Sequence, residues 1–252
     1  MTPESTGSPE MARADFTIEG EHFRLTFRVT VPAGPVEVSD LLPVARALSD
    51  AVVRETCQVV EEAGEKISCT RGCGACCRNL VAISEVEARR IRDAVAKLPE
   101  PRCSTVRARF AEARQRLERA GLLEKLQAAD LWTSADYTAL VGIYFQQGIP
   151  CPFLEEESCS IYEERPITCR EYLVTSPPEY CARLGSEGVR RVRLPLRVFN
   201  AVARWQVPPQ GHFLERWVPL ILAPEWAEAH PDDPPPKPGL ELLRELLAHL
   251  SN

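Results

Sequence analysis

Ten cysteines, eight of them gathered into two short segments, constrain this chain more than any other feature of its sequence. The two segments, separated by 73 residues, read Cys69-x3-Cys73-x2-Cys76-Cys77 and Cys151-x7-Cys159-x9-Cys169-x11-Cys181. Cysteines spaced two or three residues apart in a short loop allow neighbouring thiolates to converge on one ion. Gly72 and Gly74 relieve the crowding that such a tight turn creates. The spacing therefore predicts a metal site built from both segments.

The cellular compartment decides whether clustered cysteines bind metal or form disulfides. Residues 1–15 read MTPESTGSPEMARAD and lack the apolar stretch of a secretory signal. We therefore expect a disordered tail over residues 1–14 and a cytoplasmic protein, in which thiols stay reduced. Clustered cysteines in that setting bind metal more often than they form disulfides. No apolar run approaches the roughly 18 residues of a membrane-spanning helix.

The adjacent pair Cys76 and Cys77 leaves the number of sites open. Side chains of adjacent residues point to opposite sides of an extended chain, so both rarely reach one ion. Eight cysteines at four per site fit two sites, and one four-ligand site with several bystander thiols is the alternative. Cys57 and Cys103 lie in helical patterns and are interpreted as small buried hydrophobes outside the site.

The identity of the metal also stays open at this point. Thiolate ligands suit zinc, and thiolate cages hold iron–sulfur clusters as well, so zinc, iron and an iron–sulfur cluster are all compatible. Four thiolates on a divalent zinc ion leave a net charge of about −2. Arginines beside the cysteines could donate to sulfur and offset that charge, or they could be solvated. These arginines are Arg71, Arg78, Arg165 and Arg170.

The remaining sequence predicts an α+β fold that is mainly helical. Strict alternation from Phe23 to Val31 predicts a strand with one buried face, and Phe16–Ile18 predicts a short partner, giving an N-terminal β-hairpin. Ser84 followed by Glu87 is a capping box at the start of a helix. Helices are predicted at 40–63, 85–97, 104–127 and 135–147.

The proline distribution suggests the domain organisation. Residues 15–230 are predicted to form a single globular domain that contains the cysteine-cluster module 68–181. Five of the eight residues 231–238 are proline, which predicts a stiff, extended linker. Residues 239–252 carry leucines on one side, so we expect a C-terminal helix that packs back on the domain. The cysteine-rich loops would be stapled by the metal site.

Composition argues against several classes of function. The net charge of −6 disfavours nucleic-acid binding and a membrane-surface role. Arginine-rich stretches at 101–119 and 190–197 could contact phosphate, but a solvated helix face and a strand edge are the simpler interpretation. Esterase, phosphate-loop and zinc-protease motifs are absent. The partner, whether a protein or a small molecule, stays unknown.

Further motifs surround the cysteines of the second segment. They read Cys151-Pro152-Phe153-Leu154, Cys159-Ser160-Ile161-Tyr162 and Arg165-Pro166-x2-Cys169-Arg170-x-Tyr172. Together with the first segment, and in this order, they resemble the YkgJ-type cysteine-cluster family, a zinc- or iron-chelating domain. The resemblance covers roughly residues 68–181 and says nothing about 1–60 or 200–252.

The resemblance implies a set of metal-site residues and an alternative function. The implied residues are Cys69, Cys73, Cys76, Cys77, Cys151, Cys159 and Cys169, with Cys181 added although the end of the motif is looser. The flagellin lysine methylases carry similar cysteine motifs with an iron–sulfur cluster. This similarity implies, as the alternative to a metal-binding module, an iron–sulfur-dependent redox or protein-methylating enzyme.

The first three cysteines also imitate the signature of the radical S-adenosylmethionine enzymes. That signature has an aromatic residue just before its last cysteine, where this chain has Ala75. Such enzymes also need repeated strand–helix units after the motif, and helical patterns follow it here. A radical enzyme is therefore disfavoured.

Overall fold

The computed structural model describes residues 10–20, 23–128, 134–183, 188–205, 217–231 and 234–250. Residues 1–9 of the predicted tail, 232–233 of the predicted linker and 251–252 of the predicted last helix lie outside the described residues. Helices predominate and a hairpin precedes them, which confirms the predicted α+β, mainly α class.

The described residues form α-helices of 4 to 21 residues and, apart from two N-terminal strands of 10 residues each, strands of 2 or 3 residues. The α-helices are α1 (Leu42–Glu62), α2 (Glu85–Ala96), α3 (Arg102–Arg119), α4 (Leu123–Gln127), α5 (Ser134–Gln146), α6 (Ile167–Arg170), α7 (Val198–Ala203), α8 (Ala223–Ala229) and α9 (Gly239–Leu250). The strands are β1 (Met11–Gly20), β2 (Phe23–Pro32), β3 (Pro35–Val36), β4 (Ala82–Ser84), β5 (Leu154–Glu155), β6 (Ser158–Cys159), β7 (Trp217–Pro219) and β8 (Lys237–Pro238). Among the described helices, none combines the length and the apolar character that crossing a bilayer requires.

The N-terminal hairpin is longer than the sequence predicted. β1 pairs antiparallel with β2 along its whole length, and Phe16 stacks on Phe27 with ring centroids 5.2 Å apart. Residues 11–14, which were assigned to the disordered tail, belong to this strand, so that boundary was wrong. Two alanines carry the alternation there, and their small side chains give a weak signal of a buried face.

The helices lie close to their predicted positions, with one exception. Ser84 and Glu87 form the predicted capping box at the start of α2, since each side chain accepts a hydrogen bond from the other residue's backbone N–H. The helix predicted to continue to residue 127 instead ends with α3 at Arg119. Gly121 adopts a left-handed φ of +67°, which ends a helix, and the short α4 follows.

A core that joins the two ends of the chain lies beside the cysteine segments. We name it the terminal core: it is formed by the hairpin, α1, α7 and α9, and its fully buried leucines are Leu41, Leu42, Leu48, Leu242, Leu243 and Leu246. The end of the predicted linker takes part in the fold, because β8 pairs with β3. Helix α9 then packs on α7 and on the hairpin.

Candidate metal centre

The first cysteine segment folds as a series of tight turns. The backbone N–H of Cys73 donates to the carbonyl of Thr70 at 3.1 Å, and that of Cys77 donates to Gly74 at 2.9 Å. Gly72 has a left-handed φ of +91°, which a residue without a Cβ adopts readily. These turns keep the four cysteines of the segment within a few residues of chain, and all four are half-buried.

In the second segment, a small hairpin carries two cysteines. β5 pairs with β6, so Leu154 lies opposite Cys159, and the N–H of Leu154 donates to the carbonyl of Cys151 at 2.9 Å. Glu156 and Glu157 form the turn, and both have positive φ angles of 49° and 58°. The hairpin thereby brings Cys151 and Cys159 to the same end of the segment.

The two segments are in direct contact at this hairpin. The N–H of Cys151 donates to the carbonyl of Cys77 at 2.7 Å. Arg78 holds the carboxylate of Glu157 with two hydrogen bonds of 2.6 and 3.0 Å. Gly74 packs so closely that a Cβ there would lie 2.5 Å from the carbonyl oxygen of Glu157. Backbone contact, and not only side-chain proximity, therefore joins segments that are far apart in sequence.

A second contact lies near the end of the module. The N–H of Val174 donates to the sulfur of Cys69 at 3.4 Å, and the Cys69 thiol in turn donates to the carbonyl of Tyr172 at 3.8 Å. Val174 is in turn bridged to Arg191, within the stretch that follows the module. Cys69 is therefore tied to the backbone of the second segment at Tyr172 and Val174.

Buried charged residues attach α6, which carries Cys169, to the rest of the fold. The carboxylate of Glu87 on α2 accepts from the N–H of Ile167 at 2.8 Å. Arg170 places one guanidinium nitrogen 2.8 Å from both carboxylate oxygens of Asp50 on α1. These contacts fix the position and direction of the short helix.

Glu171 makes a third attachment, to the start of α7. Its carboxylate accepts from the N–H of Phe199 at 3.1 Å and pairs with Arg197 at 3.3 Å. Burial raises the pKa of Glu171 to about 7, although the hydrogen bonds from α7 oppose that shift. Sequence reasoning assigned Glu87 only a capping role and missed Glu171 altogether, because the partners of both residues are distant in the sequence.

The electrostatic influence of Cys76 reaches cysteines of both segments, because a charge on its thiol would raise the pKa of Cys69 and Cys181 and also that of Cys151 and Cys169. These influences define two groups of thiols. The Cys69 group comprises Cys69, Cys73 and Cys181. The Cys151 group comprises Cys151, Cys159 and Cys169. All ten cysteines are free of disulfide bonds.

The backbone at Cys76 and Cys77 is a turn, closed by the Cys77 N–H and the Gly74 carbonyl, and is not the extended chain considered in the sequence analysis. Whether both thiols reach one ion stays a prediction.

The cysteine module matches the CxxCxxCC family. That family is described as "Putative zinc- or iron-chelating domain", and the match covers residues 68–183, somewhat under half of the 252-residue chain. The family resemblance inferred from the motifs is thereby confirmed for this segment. No curated protein and no solved structure matches the chain.

Four thiols of the matched residues 68–183, which we name the CxxCxxCC segment, are held in their neutral form by their surroundings. Burial raises the pKa of Cys69 to about 11 and that of Cys151 to about 12, and it raises the pKa of Cys169 well above the usual range. A hydrogen bond with Cys77, together with burial, raises the pKa of Cys76 strongly. Thiolates in this position are favourable only when a cation compensates their charge.

Donors to sulfur are nevertheless present in both groups of the CxxCxxCC segment. Backbone N–H groups of Val174, Phe153 and Ile161 lower the pKa of Cys69, Cys151 and Cys159, respectively, against the larger effect of burial. Such N–H···S hydrogen bonds are the outer contacts that orient and stabilise thiolate ligands.

Arg165 provides a test of whether this segment fits a thiolate centre. Its Nε atom is buried and has no hydrogen-bond partner in the part of the chain that the structure describes. Its guanidinium lies near the thiols of Cys76 and Cys159 and lowers the pKa of both. A buried donor without an acceptor is costly, and thiolates of a metal-loaded site would supply that acceptor. The residues present therefore fit a thiolate-bound cation.

The coordination shell itself is not assembled in the described residues. No three of their His, Cys, Asp and Glu side chains form a group that could hold a metal ion as they stand. The two cysteines predicted to lie outside the site are Cys57, half-buried on α1, and Cys103, buried on α3.

Proposed function

We propose that the protein binds zinc or iron through thiolates contributed by both halves of its CxxCxxCC segment. The observation that carries this proposal is the direct contact of the two cysteine segments, in which the N–H of Cys151 donates to the carbonyl of Cys77 at 2.7 Å. The predicted ligands are the eight cysteines of these segments. The unpartnered Nε of Arg165 and the N–H groups directed at sulfur support an anionic, thiolate-rich centre there.

The arrangement favours a structural cation that cross-links the two cysteine segments. Residues 68–78 and 151–181 contain little regular structure, and the contacts between them are a few backbone hydrogen bonds and ion pairs. A cation bound by thiolates of both segments would cross-link them, so that metal binding contributes directly to folding free energy. A reducing compartment such as the cytoplasm would keep the thiols available for binding.

The number of bound ions depends on whether Cys76 is a ligand of one of two sites or the common ligand of a single site. If the Cys69 group and the Cys151 group bind separately, each needs a fourth ligand, and Cys76 and Cys77 are the two thiols between them. If one ion is bound, Cys76 is its common ligand and some thiols are bystanders. Metal stoichiometry therefore distinguishes two sites from one.

Anaerobic purification followed by elemental analysis and absorption spectroscopy tests the proposal. We expect zinc or iron at one or two equivalents. A brown protein whose visible absorption bleaches on reduction would assign an iron–sulfur cluster and favour the redox or methylating alternative. A colourless protein with stoichiometric zinc would reject that alternative.

Two cysteine variants sharpen this test. Cys76→Ser should lose most of the metal, because it removes the thiol next to both groups. Cys57→Ser, on a half-exposed face of α1, should retain all of it and serves as the matched control. The proposal fails if the wild-type protein binds neither metal after reconstitution under reducing conditions, or if Cys76→Ser retains full metal content.

A further inference from the structure

A cavity of about 500 Å³ lies between α2, α3 and the chain that leads into α8. Its floor is apolar, and the residues that form it, Val95, Phe110, Ile221 and Leu222, are buried. Exposed residues of α2 and α3 form the rim, so the cavity opens to solvent. Small-molecule sites are commonly clefts of roughly 300–1,000 Å³ with mostly apolar walls. The cavity therefore has the size and the lining of a ligand site, and none of its lining residues is a cysteine.

Helix α3 presents arginines on two opposite faces. Arg109 donates to the carbonyl of Pro152 at 3.2 Å, so its face of the helix contacts the second cysteine segment. Arg107 and Arg114 line the cavity. They lie on the opposite face, because an α-helix has about 3.6 residues per turn and these positions are two and five residues from Arg109. The arginines of the cavity are therefore distinct from the arginine that attaches α3 to the cysteine segment.

The charges that line the cavity are positive in sum. They come from three arginines and two glutamates, which leaves a net charge of +1. One of these carboxylates is already engaged at both oxygens, since Glu225 pairs with Arg114 at 2.8 Å and accepts from the side chain of Gln127 at 2.7 Å. The other belongs to Glu228, which is exposed on α8. The net charge favours an anion as the occupant.

Arg107 has the guanidinium that is best placed to bind that anion. Arg92 is held by its neighbours, because its Nε donates to Asp93 at 2.8 Å and its Nη1 donates to the carbonyl of Ala227 at 3.0 Å. The guanidinium of Arg107, exposed at the rim, has no hydrogen bond or ion pair with any residue that the structure describes. A guanidinium in this state can bind a carboxylate with two parallel hydrogen bonds. A positive charge beside an apolar floor suits a molecule with one anionic end.

We propose that this cavity binds a small organic anion, a carboxylate with an aliphatic or aromatic body. The carboxylate pairs with Arg107 at the rim, and the body packs on the buried apolar floor. Burial of that body supplies most of the affinity, while the guanidinium selects the charge. The inference is independent of the proposed metal binding, since no predicted metal ligand lines the cavity.

Two substitutions at the rim test the cavity and leave its floor intact. Ala111 is exposed, so Ala111→Trp places a large ring in the mouth, and Ala108→Trp, at an exposed position of α3 outside the cavity, is its matched control. Arg107→Glu reverses the charge at the rim. Its control is Arg119→Glu, because Arg119 is exposed on the same helix and does not line the cavity. Circular dichroism of each variant establishes that it folds.

The probe is anilinonaphthalene sulfonate, an aromatic anion whose fluorescence rises when it leaves water and whose sulfonate stands in for the carboxylate. A titration of the folded protein, with direct excitation of the dye, gives the dissociation constant. We expect Ala111→Trp and Arg107→Glu each to raise that constant roughly tenfold or more, because the first occupies the space and the second places a negative charge beside the sulfonate. Both control variants should stay within about twofold of the wild type.

Displacement of the dye then identifies the class of ligand. Octanoate, octanol and octylammonium share one alkyl chain and differ in charge. We expect octanoate to displace the dye at the lowest concentration and octylammonium at the highest. The proposal is overturned if the wild type binds no dye, if Ala111→Trp and Arg107→Glu bind it as tightly as the wild type, or if octanol or octylammonium competes as well as octanoate. Should Ala111→Trp fail to fold, Arg107→Glu at its exposed position still decides the outcome.

Discussion

The terminal core and the CxxCxxCC segment are stabilised in different ways. The terminal core buries a continuous set of leucines from α1 and α9 against the hairpin, so the hydrophobic effect holds it without any cofactor. The CxxCxxCC segment has short turns, half-buried thiols and directional contacts between two distant stretches. The terminal core is therefore specified by apolar burial. In the proposed function, the CxxCxxCC segment needs a bound cation to join its two halves.

Metal removal should give the largest difference between the two regions. A strong chelator under reducing conditions should abolish hydrogen-exchange protection at backbone amides that join the segments, such as those of Ser68 and Cys151, because the thiols then return to their neutral forms. Amides of α1 and α9 should keep their protection. If chelation reduced hydrogen-exchange protection equally in both regions, or in neither, the two regions would not differ in their need for metal.

A cavity in the terminal core should affect stability but not metal content. Leu246 is fully buried on α9, and Leu246→Ala should lower the free energy of unfolding by about 3 kcal/mol, measured by chemical denaturation. Leu247→Ala, at a half-buried position of the same helix, should cost less. Metal content per folded molecule should equal that of the wild type, and a fall in Leu246→Ala would show that the two regions are coupled.

A methyl group at the contact between the segments should, unlike the cavity, weaken metal binding. Gly74→Ala would place Cβ 2.5 Å from the carbonyl oxygen of Glu157, so the β5–β6 hairpin must move away, at a cost of about 1–3 kcal/mol. We expect weaker metal binding in a chelator competition. Gly142→Ala is the control: it lies in α5 with no atom within 4 Å of the new Cβ, and both stability and metal binding should be retained or improved.

The smallest expected effect concerns the turn of the hairpin. Glu156 adopts a positive φ although it has a Cβ, and Glu156→Gly should raise the free energy of unfolding by about 0.5–1 kcal/mol. Glu157→Gly should gain less, since it also removes the ion pair with Arg78. Thermal denaturation of the metal-loaded protein measures both, and a lower melting temperature for Glu156→Gly would contradict the strain argument.

Local patterns explain which parts of the fold could be predicted from the sequence. The alternation in β2, the capping box of Ser84 and the cysteine spacing are local signals, and the corresponding elements lie where they were expected. The two cysteine segments were also expected to meet, because a shared cation requires it.

Contacts between distant residues explain what could not be predicted. Glu87 meets the N–H of Ile167, 80 positions further along the chain, and Glu171 meets Phe199 through a backbone N–H, which no side-chain pattern reveals. The sequence indicated the chemistry of the candidate site, whereas the contacts that hold α6 in place are visible only in the tertiary structure.

The attachment of Glu171 to α7 has a consequence for synthesis of the chain. Helix α7 packs on α9, which is translated after all ten cysteines, and Trp205 just after α7 donates to the carbonyl of Leu242. The contacts that support α6 and its Cys169 are therefore incomplete until α9 has left the ribosome. A nascent chain accordingly presents its ten thiols before this support has formed.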